Sequence, residues 1–106
     1  MERANGISGE MILDCIVIGA GPGGLQACIH LGRYNFRVML FDIPGGRTSY
    51  AKHLENYLGI PVVSGPKLLE TGLSQARNFG VAIENVRVER VTNSLPVETS
   101  TNTTLW

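Results

Sequence analysis

With 106 residues, 43% of them apolar and 17% charged, the chain has the size and balance of one small globular domain, not of a disordered segment. Nine basic residues offset nine acidic ones, so charge gives no ground for a nucleic acid or an anionic membrane as partner. No apolar run approaches the roughly 20 residues that span a bilayer, and Met1 to Gly9 lacks the basic start and apolar stretch of a secretion signal; a cytoplasmic location is the resulting expectation.

Residues 1–10 are polar, carry Gly6 and Gly9, and read as a loose leader. The folded unit is expected over 11–92. Ile12 to Ile18 is short and almost wholly apolar, as in a strand buried on both faces of a parallel sheet. Glycines interrupt it at once, and a helix is predicted from about Pro22 to Tyr34. Proline suits a first helical turn because its missing N–H would have no partner there. Gly24, Ala27, Cys28 and Leu31 follow the i, i+3, i+4, i+7 pattern and predict a small-residue face against the sheet. Asn35, tolerant of a left-handed backbone, ends the helix. Arg37 to Phe41 is the second apolar strand, with Asp42 at its carboxyl end. Strand, helix and strand together predict a right-handed βαβ unit.

Ile43 to Lys52, marked by Pro44-Gly45-Gly46, reads as a loop. Ser64 can cap a second helix that begins near Pro66. Leu68, Leu69, Leu73, Ala76 and Phe79 supply its apolar face and Gly80 its stop. Val81 and Ile83, then Val86 and Val88, alternate with a phase shift between them, which predicts a bulge or bend near Glu84-Asn85. From Asn93 to Trp106 the chain is rich in Ser, Thr and Asn, shows no periodicity and is expected to be poorly ordered. Cys15 and Cys28 form no Cys-x-x-Cys pair and read as small buried hydrophobes rather than a disulfide or metal site. His30 and His53 stand alone, and no metal ligand set is expected.

The segment between the first strand and helix carries the chemistry. Gly19-Ala20-Gly21-Pro22-Gly23-Gly24 fits Gly-x-Gly-x-x-Gly, leaves a strand, opens a helix and has Asp42 18 positions after its last glycine. Together these are the fingerprint of a dinucleotide site. Gly19 allows a tight turn, Gly21 lets a pyrophosphate approach the backbone, and Gly24 lets helix and strand pack closely. Free N–H groups and the helix dipole would hold the phosphates. Asp42 would accept hydrogen bonds from the adenosine ribose and repel a 2′-phosphate, which argues against NADP at this position. NAD and FAD fit this constellation equally.

The stretch from Asp14 to Leu25 with Val38 to Asp42 resembles the amino-terminal FAD segment of pyridine nucleotide–disulfide oxidoreductases. Gly45-Gly46, then Leu54 to Gly59, then Ser64 to Leu69 are similar to the low-molecular-weight thioredoxin reductases. That resemblance covers about Asp14 to Val91. It implies FAD as cofactor, with Gly45, Gly46 and Asn56 in contact with it and the backbone of Val88 against the adenine. Two positions depart from the pattern. Asp42 replaces a common glutamate, and Arg47 stands where many members carry a glutamine beside the flavin. Arg47 is either a solvated charge or a flavin or phosphate contact. The Arg47-Thr48-Ser49-Tyr50 stretch is closer to divergent flavoproteins of the same superfamily, which leaves electron donor and acceptor open.

In that family an NADPH domain with the redox Cys-x-x-Cys is inserted into a split FAD domain, and the full-length parent implies a homodimer partner. NAD(P)H would act only through a domain absent from this chain. The expected fold is therefore α/β, a partial Rossmann-like three-layer domain with a parallel sheet core. The expected function is an FAD-binding segment of an oxidoreductase, catalytically incomplete alone and with no catalytic residue of its own. The alternatives are a non-catalytic adenine-nucleotide module and, less favoured, a small NAD-dependent dehydrogenase.

Overall fold

The computed structural model describes residues 12–92 and, for the backbone, the strands Val97–Thr99 and Thr104–Leu105. The expected loose leader lies outside the described residues. The chain runs β1 (Cys15–Ile18), α1 (Pro22–Arg33), β2 (Val38–Phe41), a 3-10 helix (Arg47–Tyr50), α2 (Gly65–Asn78), β3 (Ala82–Glu84), β4 (Val88–Val91), β5 (Val97–Thr99) and β6 (Thr104–Leu105). Strands β1, β2 and β3 form a parallel sheet in that order. Strands β4, β5 and β6 form a separate antiparallel sheet.

Alternation on the parallel strands builds two cores. Val38 and Leu40 of β2, with Val81, face the helices and meet Leu25 and Cys28 of α1 and Ala76 of α2. Met39, Phe41 and Ala82 face the other way, where Leu13, Ile16, Val86 and Val88 pack against them. Two helices thus cover one side of the sheet, and the start of β4 lies against the other. Central β2 is buried along its whole length. Strand β1 is shorter than expected and partly exposed, and among the described residues it has a neighbour on one side alone.

Helix α1 stops as predicted, with Asn35 at φ 65° just past its cap. Its buried stripe is shifted: Leu25, Cys28 and Gly32 are buried, while Ala27 is exposed. Gly32 is there because α2's end comes close; a Cβ on it would stand 2.9 Å from Phe79 Cβ. Ser64 caps α2 as predicted, its Oγ accepting from Lys67 N at 3.3 Å, and Gly80 at φ 85° follows its end.

Two expectations are corrected. The loop after Asp42 contains the 3-10 helix, anchored where Ser49 donates through both its N–H and its hydroxyl to Gly46 O. The phase shift near Glu84-Asn85 is no bulge inside one strand; β3 ends there and the chain crosses to the second sheet. An irregular register does occur, but between Val88 and Arg90. Most of the stretch from Asn93 to Trp106, expected to be poorly ordered, lies outside the described residues; the backbone of β5 and β6 is described within it. Antiparallel pairing satisfies backbone groups irrespective of hydrophobic alternation, and Val and Thr favour the extended chain.

Candidate functional site

The carboxyl ends of the three parallel strands open into one cleft. Gly19 leaves β1 at φ 96°, a conformation suited to glycine, and its N–H donates to Phe41 O at 2.8 Å. Gly24 is fixed by packing, since a Cβ there would collide with Gly19 O. Gly21 differs: nothing lies within 4 Å of where its Cβ would be, and its φ of −74° suits any residue. No internal packing therefore requires glycine at 21. Gly21 is also the N-cap of α1 with no side-chain cap, so N–H groups of the first turn remain available to an anion.

Asp42 follows directly from β2, and its Oδ1 accepts from Ala20 N at 2.9 Å. This bond between the acidic residue and the glycine loop was not foreseen. Its own N–H donates to Glu84 O at 3.0 Å, which sets Asp42 beside the end of β3. The cleft encloses about 270 Å³. Ala20, Gly21, Asp42, Gly45, Gly46 and Arg47 line one part of it. Pro44, Thr48 and Ser49 complete that loop, α2 supplies Leu69, Leu73 and Arg77, and β3 with the residue after it supplies Ile83 and Asn85. Sequence reasoning missed these last five; Leu69 and Leu73 had been read as core alone.

The other expected site residues lie around the cleft. Gly19, Pro22, Gly23 and Gly24 shape the turn into α1 without lining the cavity. Asn56 is exposed, within the turn closed by the Leu54–Val63 and Tyr57–Ile60 bridges. Val88 also falls outside the cleft, its side chain packed with Met39, Phe41 and Ala82. A second cavity between α1, α2 and the Tyr57–Ile60 turn is lined mainly by apolar residues, with Gln26, Tyr57, Thr71 and Gln75 adding polar groups, and of the expected residues it includes Pro22. Cys15 and Cys28 are free thiols in the helix-side core. Burial, with a smaller contribution from Cys15, pushes the Cys28 thiol up to about 11. Among the described residues no group of three His, Cys, Asp or Glu side chains could hold a metal ion, and no helix is long and apolar enough to cross a membrane.

A family model described as pyridine nucleotide-disulphide oxidoreductase matches residues 13–103. The chain belongs to this family. Among its relatives, thioredoxin reductase of Bacillus subtilis is 37% identical over 76 residues, which are 70% of this chain and 24% of that protein. Thioredoxin reductase of Listeria monocytogenes is 32% identical over 96 residues, 89% of this chain and 30% of that one. The solved thioredoxin reductase of Gloeobacter violaceus superposes with a TM-score of 0.81 at 26% identity, covering 91% of this chain and 33% of the other. The chain thus spans a quarter to a third of these relatives. The α/β architecture with a parallel sheet core is that of this pyridine nucleotide-disulphide oxidoreductase family's solved members.

Proposed function

We propose that this chain is the FAD-binding segment of a thioredoxin reductase-like oxidoreductase and holds the pyrophosphate and adenosine of FAD. One observation carries the reading: Gly21 has open space at its Cβ position and opens an uncapped helix beside the Asp42 carboxylate. First-turn N–H groups of α1 would bind the pyrophosphate, and Asp42 the ribose. Gly45 and Gly46 would let the backbone close on the ligand, with the Arg47 guanidinium beside its phosphates. The flavin supplies electron transfer when FAD is bound; the residues of this chain bind and orient. Asn56 joins the site in this reading through the part of FAD that extends beyond the cleft, and Val88 through its backbone. NAD(P)H would engage a domain outside this chain. A cytoplasmic setting accords with the two free thiols.

The cleft brings together the glycine loop, Asp42 and the Gly45–Arg47 loop, the groups that this reading gives to the ADP half of the cofactor, which supports a narrower second reading as an adenine-nucleotide module. Calorimetric titration of the chain with FAD, ADP and FMN tests both. FAD and ADP should compete for one site and FMN, which lacks the adenosine, should not bind. Tighter binding of FAD than of ADP supports the flavoprotein reading, and equal affinity the narrower one. No binding of either overturns both.

A further inference from the structure

The loop after β2 supplies much of the cleft, yet no core holds it. Pro44, Gly45, Gly46, Arg47, Thr48 and Ser49 all line the cavity, and no residue from Ile43 to Ala51 is buried. The Gly45-Gly46 pair leaves the backbone many alternative paths. Ser49 donates to Gly46 O, and the Ala51 N–H donates to Thr48 O at 3.2 Å. These bonds lie inside the loop; they give it a shape without giving it a place.

Its place is set at the start of α2. The N–H of buried Gly65 donates to Ala51 O at 2.8 Å. A Cβ on Gly65 would collide with Thr48 O, and would stand 2.7 Å from Thr48 C and 3.1 Å from Ala51 O. All three are backbone atoms, so the clash is relieved by moving the loop and not by turning a side chain. The backbone of Gly65 does not itself call for glycine. It is the first residue of α2 and lies outside the left-handed region, where alanine is the better helix former. The turn beneath the loop is firm: Ser64 caps it through Lys67 N, and Pro66 restricts its second position. The same helix then carries Leu69, Leu73 and Arg77 into the cleft, so this one contact sets how the loop stands relative to them.

We infer that Gly65 is a positioning residue for the cleft: having no side chain, it seats the Gly45–Ser49 loop on the first turn of α2, and that seat holds the loop backbone where the phosphates of a ligand meet it. Gly65 does not line the cavity and acts through the loop. The seat stands on the packing alone; its part in binding rests on the proposed nucleotide site.

The experiment compares the chain with Gly65→Ala by amide hydrogen exchange and by calorimetric titration with ADP and adenosine. The added methyl lifts the loop from α2. The amide at position 65, which then loses Ala51 O, should exchange about tenfold faster, while the amides of β2 exchange as in the parent. Affinity for ADP should fall about tenfold. Adenosine, which lacks the phosphates that the loop meets, should bind as before. A purely structural role would weaken both ligands together and quicken exchange in β2, and either result would overturn the inference. So would ADP affinity that Gly65→Ala leaves unchanged, though the nucleotide site itself would then stand. If Gly65→Ala does not fold, Ser64→Ala loosens the same turn by removing its cap alone. It should quicken exchange of the Gly65 amide and weaken ADP about threefold with adenosine unaffected; ADP affinity equal to the parent's would overturn the inference. A parent chain that binds neither ligand would remove the nucleotide site, and faster exchange at position 65 would then leave Gly65 a packing residue only, which overturns its positioning role.

Discussion

Asp42 has a place in the fold as well as in the site. Its Oδ1 accepts from the N–H of buried Ala20, so the carboxylate also holds the glycine loop. Removing it leaves a buried donor unpaired and costs about 1–3 kcal/mol. Asp42→Ala should therefore lower both stability in urea and affinity for ADP, the latter by about ten- to a hundredfold. Asp42→Asn keeps an oxygen for Ala20 but loses the charge; it should regain most of the stability and little of the affinity. Normal ADP affinity in the asparagine variant would remove the ribose role. Spacing alone made Asp42 legible, because strand and helix lengths fix where such a residue emerges. Arg77 was not legible: it stands 35 residues further on, and its nearness to Asp42 depends on how α2 crosses the sheet.

Cys28 yields a pH dependence. Its pKa rises from 9.0 to about 11 in the folded chain, so between those values the folded state binds the proton more tightly than the unfolded state. The resulting stabilisation is complete below pH 9 and is lost as pH climbs toward 11. Two pKa units amount to roughly 2–3 kcal/mol. Urea unfolding at pH 8 and at pH 10.5 should show this loss, and Cys28→Ala should flatten the difference. An identical slope in that variant would assign the alkaline loss to other groups.

At the scale of elements, the glycines around α1 separate into two kinds, and substitution should sort them. A Cβ at Gly24 meets the carbonyl oxygen of Gly19, so Gly24→Ala must push α1 away from β1. Its unfolding midpoint should fall by the equivalent of about 2 kcal/mol or more. Gly21→Ala meets nothing and keeps an ordinary φ, so its stability should match the parent while ADP binding weakens at least tenfold. Weakened stability without weakened binding at 21 would contradict the ligand role. Helix ends were easy to read because Ser64, Asn35 and Gly80 act locally on the backbone. The buried stripe of α1 was harder. Gly24-Ala27-Cys28-Leu31 and Leu25-Cys28-Gly32 both fit helical spacing, and a helix rich in small residues offers little hydrophobic contrast between its faces. The crossing from β3 to β4 was misread for a related reason. Period-2 alternation continues on both sides of residues 85–87, and alternation does not say which sheet a strand joins.

At the scale of the whole molecule, the parallel sheet has two unlike flanks. Strand β2 is paired on both sides, whereas β1 has one partner among the described residues. Ile18 at the end of β1 is 55% exposed and Ile12, just before it, 69%. A parallel edge that no described strand pairs, with isoleucines near both its ends, offers backbone donors and acceptors alongside apolar surface, the combination that promotes strand pairing between chains. Sedimentation velocity should therefore show association that grows with concentration, by addition at β1. A lysine at the edge opposes such pairing through its charge and its hydration, and Ile18, already half exposed, tolerates the change without opening the core. Ile18→Lys should shift the chain toward monomer while leaving its far-ultraviolet circular dichroism and ADP affinity unchanged. If the parent chain stays monomeric across the whole concentration range, the β1 edge is covered by other means. If association persists unchanged in Ile18→Lys, the contact lies elsewhere, and the exposed Leu58 on the Tyr57–Ile60 turn becomes the place to substitute next.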